Sequence, residues 1–290
     1  MKKIICTLPL ILLFLSLVTH NGCKQEDEVI TPVVDENVDK ESASAKNISM
    51  VIKFLTDANS FGWAEANNIT PVTNFCPNLY NDSAQVPHVL DVVYSAFPGC
   101  AGMDGVRRSG KYTLSYTLNS AGDSLYSEIS FNDFRIYKNN DLSDTVIRII
   151  GGLKFSSKRV SGTSYRFHSS GEVFLQTLYT GNKDFVITSL EGTANLNSLS
   201  DVTDDTYTLY GTGNIDDSGN SASYGISIAA STPLLFNSTC KYPLTGTANF
   251  TKGGVTTGCD FSPNSGSCDA IVKFTRGSFS KTVDLSTTNF

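Results

Sequence analysis

From residue 111 to the end, the chain alternates apolar and polar residues with a period of two, and no stretch there has a helical pattern long enough to cross a sheet. Tyr112, Leu114, Tyr116 and Leu118 alternate with Thr113, Ser115 and Thr117, which predicts a strand with one buried and one wet face. The Ala121-Gly122-Asp123 turn leads to Ile129 and Phe131 on one parity and Phe134 and Ile136 on the other, so a bulge is expected near Asn132 and Asp133. Further strands are expected over 146–150, 173–179, 185–190, 206–215, 224–228, 244–250, 270–274 and 279–285. Gly181-Asn182, Asp217-Ser218-Gly219-Asn220, Gly253-Gly254 and Arg276-Gly277 supply the turns. Without crossover helices the neighbours must pair antiparallel. The fold class is therefore all-β: a meander of about ten or more strands, curled into a partial barrel or a two-layer sandwich. Gly192, Gly211, Gly213 and Gly246, inside the strands, predict bends or bulges.

Ahead of this region the composition changes twice. Lys2 and Lys3 precede an uncharged run from Ile4 to Val18, which is the pattern of a secretory signal and too short to span a bilayer. Residues 24–46 hold seven acids, three bases and no aromatic residue, so an extended acidic tether is expected. Ile48, Val51, Ile52 and Leu55 recur at helical spacing behind Asn47, an acceptable N-cap, so a short amphipathic helix is expected to open the folded region ahead of the sheet. The expected organisation is signal peptide 1–22, tether 23–46, a helical and loop segment 47–105 packed on the sheet, and the antiparallel β domain 106–290.

Two resemblances add to this. Gly22-Cys23 resembles a bacterial lipoprotein signal, in which the Cys is lipidated after cleavage. The acidic run that follows (Glu26, Asp27, Glu28) is similar to the export signal of Bacteroidetes surface lipoproteins. In the body, Cys76-Pro77, then Cys100 with 104–111, 129–134, 160–163, 205–213, Cys240 with Gly246, and 266–269 together resemble a β-rich family of Bacteroidetes envelope lipoproteins with no assigned activity. The resemblance implies lipid attachment at Cys23 and an address on the outer membrane, exposed at the cell surface. Several acyl chains would hold the protein firmly where a single chain would not.

Export makes disulfides expected among Cys76, Cys100, Cys240, Cys259 and Cys268. Spacing alone does not decide connectivity. We take Cys76–Cys100 and Cys240–Cys268, with Cys259–Cys268 as the competing pair.

Candidates for chemistry are sparse. The net charge is −6 without a basic cluster, which argues against nucleic acid as a partner. His88 and His168 are the histidines beyond the signal, and no Gly-x-Ser-x-Gly elbow accompanies them, so no catalytic residue is assigned and an enzyme, a hydrolase, is the least favoured reading. No metal site or cofactor is assigned. Asp201, Asp204 and Asp205, and Asp216 with Asp217, could hold calcium, but turns and strand ends account for them. Asp104, Arg107 and Arg108 read as a salt-bridged turn. Trp63 reads as packing beside the helix, and Tyr210 and Tyr242 are possible platforms for sugar rings. The leading expectation is a non-catalytic binding or adhesion module for a glycan or another envelope protein. A structural envelope component, or a barrel-like carrier of an apolar ligand, is the alternative.

Overall fold

The computed structural model describes residues 30–71, 76–82, 84–96, 98–137, 146–177, 183–217, 222–263 and 266–287. The signal peptide, Cys23 and the first part of the expected tether lie outside these residues. By compactness the chain divides into Met1–Glu41 and Ser42–Phe290. The described residues of the first unit, 30–41, are the opening turns of helix α1, Ile30–Ala66. The rest of α1 belongs to the second unit.

The second unit is one antiparallel sheet with fifteen strands among the described residues: β1 (Asn78–Asp82), β2 (His88–Tyr94), β3 (Cys100–Ala101), β4 (Arg107–Leu118), β5 (Ser124–Tyr137), β6 (Val146–Ser161), β7 (Ser164–Thr177), β8 (Lys183–Asn195), β9 (Thr206–Asp217), β10 (Ala222–Ile228), β11 (Leu234–Asn237), β12 (Thr247–Lys252), β13 (Val255–Asp260), β14 (Ile271–Arg276) and β15 (Phe279–Asp284). The path runs β1-β2-β4-β5-β6-β7-β8-β9-β10-β12-β13-β14-β15, with β3 on β4 and β11 on β9. Strand β1 is not paired with β15, so the sheet is not closed into a barrel.

The expected bulge is present. Between β5 and β6 the register shifts between Ser130 and Phe134, and Asp133 takes a φ of 49°. At Gly211 the backbone has φ +138° and a Cβ would lie 2.2 Å from the Ser189 carbonyl oxygen, so only glycine fits this bend. There β9 changes partner: β11 pairs with Thr206–Leu209 and β10 with Gly211–Asp217.

Helix α1 corrects two expectations. It begins at Ile30 rather than at Asn47, so the tether expected over 24–46 is helical in its described part. The helix is also not an amphipathic element lying on a sheet, because every residue from Ser44 to Ala64 is buried. A helix can be covered all round only if its polar side chains find partners. Here Lys53 pairs with Asp57, and the Thr56 hydroxyl donates to the Lys53 carbonyl at 2.9 Å. The Tyr207 hydroxyl of β9 donates to the Thr56 carbonyl at 2.8 Å and accepts from Asn59 Nδ2 at 3.1 Å. The helix ends where Asn68 turns left-handed (φ 57°) and the Ile69 N–H bonds back to the Ala64 carbonyl at 2.9 Å.

Contacts to widely separated strands show that the sheet curls round α1. Phe54 meets Phe134 of β5 edge-on at 5.3 Å, and Trp63 meets Tyr165 of β7 at 4.7 Å. Trp63 Nε1–H donates to Ser157 Oγ of β6 at 3.0 Å, and Arg159 lies over the Trp63 ring at 5.5 Å. Burying each large apolar side chain contributes ~1.5–3 kcal/mol, so Phe54, Leu55, Phe61 and Trp63 make the helix a principal part of the core.

The boundary expected at 105/106 is corrected as well. Strands β1 to β3 lie within 47–105 and belong to the same sheet, with β2 joined in register to β4 (Leu90 opposite Leu114). Leu90, Val92 and Tyr94 of β2 face the core in strict alternation. Disulfides Cys76–Cys100 and Cys240–Cys268 are present, with Cα separations of 5.9 and 5.4 Å. The first ties the segment before β1 to β3, and the second ties the segment after β11 to the segment before β14. Cys259 lies outside both and is buried as a thiol. Among the described residues, no helix is long and apolar enough to cross a membrane.

Candidate functional site

Inward positions are taken by the core, so functional side chains must stand on the face of the sheet turned away from α1. In β7, for example, Tyr165 and Phe167 are buried while Arg166 and His168 are exposed. The registers bring one outward position from each of six consecutive strands into a single cross-strand row: Thr117, Tyr126, Ser156, His168, Glu191 and Tyr210, from β4 to β9. Tyr126 is 56% exposed. From Tyr126 to Tyr210 the row crosses four strand spacings, about 19 Å at ~4.8 Å each.

At the β9 end the row is polar and organised. The Tyr210 hydroxyl donates to Glu191 Oε2 at 3.1 Å, and His168 Nδ1 lies 4.0 Å from Glu191 Oε1. The bond to the Glu191 carboxylate, together with its charge, pushes the Tyr210 phenol up. An open concavity of about 590 Å³ lies here, lined by Arg166, His168, Glu191 and Tyr210, with Ala230 and Pro233 from the β10–β11 connection overhanging it. It exists because β9 changes partner at Tyr210 and Gly211, which leaves a notch between β10 and β11. Beneath it β8 and β9 approach so closely that a Cβ on Gly192 would lie 1.9 Å from the Thr208 carbonyl oxygen. A second concavity of about 220 Å³ continues past Arg166 and His168 to Lys158 and Tyr126. Together they form a shallow band across the strands, with a tyrosine near each end.

The other candidates fall elsewhere. Tyr242 is not a platform: it is 5% exposed, and burial pushes its phenol up. Arg108 and Asp104 do form an ion pair, bidentate at 2.6 and 2.5 Å, but it is buried, with the guanidinium 5.8 Å from the Phe54 ring. Burial alone would raise Asp104, yet the Arg108 charge outweighs it and holds the carboxyl at about 2. His88 packs against Tyr116 at 5.3 Å.

The aspartates considered for calcium diverge. Asp201 caps the short 3-10 turn Val202–Asp204 by accepting from the Thr203 N–H at 3.0 Å, whereas Asp205 turns inward and is 1% exposed. Burial lifts the Asp205 carboxyl to about 7, against the opposing bond from Ser60, and the Asp204 charge adds to the lift. Asp216 and Asp217 face Ser223 and Ala222 across the β9–β10 ladder. No group of three or more His, Cys, Asp or Glu that could hold a metal ion occurs among the described residues.

Tyr210 was singled out in the sequence by residue type, and it stands in the outward row. Tyr126, Ser156 and the His168–Glu191 contact were not, because a cross-strand row depends on register. Parity could have shown that each of them points outward, but not that they line up. Compared with known protein families, curated proteins and solved structures, the chain matches none.

Proposed function

We propose that this protein is a lipid-anchored module of the bacterial outer membrane, exposed at the cell surface, that captures saccharide chains on the outer face of its sheet. The observation that carries the reading is the outward row from Tyr126 to Tyr210. Tyrosine rings offer flat, amphipathic surfaces against the apolar faces of sugars, and Ser156, His168 and Glu191 between them offer donors and acceptors for hydroxyls. The spacing suits an extended oligosaccharide better than a single ring. Attachment through Cys23, and kinship with Bacteroidetes envelope lipoproteins, are part of the proposal and rest on Gly22-Cys23, the acidic run behind it and the ordered words of the body.

Two observations weigh against the alternatives. The inside of the curl is occupied by α1, and a cavity among the described residues beside Lys53 and Tyr242 has about 10 Å³, room for a water rather than for an apolar cargo. Glycoside hydrolysis needs two carboxyl groups across the scissile bond, and Glu191 is the one acid among the described residues lining the concavity beside Tyr210.

Titration against arrayed oligosaccharides tests the reading. Tyr126→Ala and Tyr210→Ala should each weaken binding roughly 3–10-fold, the equivalent of ~0.5–1.5 kcal/mol per aromatic contact, with the melting temperature unchanged. Binding to no saccharide, or binding that neither substitution alters, would refute it.

A further inference from the structure

Beside the tyrosine row runs a second outward row, Ser124, Lys158, Arg166, Thr193 and Thr208, in register from β5 to β9. In it Lys158 stands directly opposite Arg166. Like charges placed face to face across two strands are unfavourable for the sheet itself. Lys158 leans away toward Asp123, 3.8 Å distant. Arg166 has no carboxylate within 4.0 Å among the described residues, and it lines both outer concavities. Glu191, which lines the larger concavity with Arg166, accepts a hydrogen bond from the Tyr210 hydroxyl. Of the charged groups that line the two concavities, Lys158 and Arg166 are cationic and Glu191 is the one carboxylate, on a chain whose net charge is −6.

Resting on the saccharide-binding reading above, we propose that the outer face selects acidic oligosaccharides, with the Arg166 guanidinium taking the carboxylate of a uronic acid unit while Tyr210 stacks on a ring. A guanidinium presents a planar fork that matches a carboxylate with two parallel hydrogen bonds, a geometry that a sugar hydroxymethyl group cannot return. Lys158 adds attraction without direction, as a compact charge at the end of a flexible stem. Thr193 and Thr208 continue the row with hydroxyls that can serve a neighbouring unit.

The test uses the full-length chain and a panel of uronate oligosaccharides, each beside its carboxyl-reduced neutral counterpart, so that the two members differ only at the charged group. Calorimetric titration should show the acidic member binding about tenfold more tightly or better, a difference that shrinks as salt is raised through the screening range. Arg166→Gln should abolish that preference, weakening the acidic member about tenfold more than the neutral one, and Arg166→Lys should keep part of it. Arg166 is exposed, so an unchanged melting curve confirms that the variants fold. Equal affinity for acidic and neutral members, or a preference that survives Arg166→Gln, would overturn the selection for acids and leave the saccharide reading standing. Failure to bind either class would sink both.

Discussion

Replacing Asp205 by Asn should remove a pH dependence from the stability of the fold. The carboxyl is 1% exposed, with its ordinary value of 3.8 lifted by burial to about 7. In the unfolded chain it titrates near 3.8. Between these two values the native state holds a proton that the unfolded chain has lost, so stability from this group falls as pH rises through that window and is constant outside it. About three pH units at ~1.36 kcal/mol each give on the order of 4 kcal/mol. Asn has the same shape and never ionises. The variant should therefore match the wild type within about 1 kcal/mol at pH 4 and gain on it steadily, by on the order of 4 kcal/mol, up to pH 8. Urea denaturation of both proteins at several pH values, with disulfides intact, reads this directly. The single tryptophan, Trp63, is a natural probe because it is buried in α1. Taking the difference between the two proteins cancels every other titrating group. A difference that stays flat across the window would mean that the Asp205 carboxylate is well solvated or paired inside the fold, and the reasoning would fail.

Asp104→Asn should cost ~3–5 kcal/mol in denaturant titrations, because it strands the Arg108 charge in the core. Gly192→Ala should destabilise by ~1–3 kcal/mol, since the new methyl meets the Thr208 carbonyl and β8 must move away from β9. Trp63→Phe should cost ~1–2 kcal/mol in the same assay by deleting the bond to Ser157 inside the core. Replacing Cys240 and Cys268 together by Ser should lower stability by about 3–4 kcal/mol, the loop-entropy value for their separation of 28 residues. Cys23→Ser should release the protein from membranes into a soluble fraction, and intact-mass measurement of native material should show lipid at that residue.

The alternation of Tyr112, Leu114 and Tyr116 with threonines and serine was enough to read β4 and its two faces. The parity slip from Phe131 to Phe134 was enough to place the bulge, since one extra residue must flip the side-chain pattern. Gly122, Gly253, Gly254 and Gly277 marked their hairpins because glycine accepts positive φ cheaply, while the turns expected at Gly181 and Gly219 lie outside the described residues. Strands β1 to β3 were hidden for a physical reason. They are short and set apart by Pro77, Pro87 and Pro98, so the alternation of β2 stands alone, and they are held by the disulfide at Cys100 and by the ladder β1-β2-β4 with β3 on β4. Strand β11 escaped in the same way, as four residues that complete the edge of β9. The start of α1 escaped because charge in 30–46 was taken to prevent order, although Ser42, Ser44 and Ala45 are small enough to pack closely within the sheet. At the site, Tyr210 could be singled out by residue type. Its neighbours Glu191 and His168 lie 19 and 42 positions earlier and meet it only through the ladder.

The alternation within β7, β8 and β9 separates two kinds of evolutionary pressure along a single stretch of chain. Phe167, Leu190 and Leu209 are constrained by what they hold together, whereas His168, Glu191 and Tyr210, one residue further on in each strand, stand outside that packing. A chain built this way can change the chemistry of its outer face at every second letter of three strands, and its architecture need not register the change.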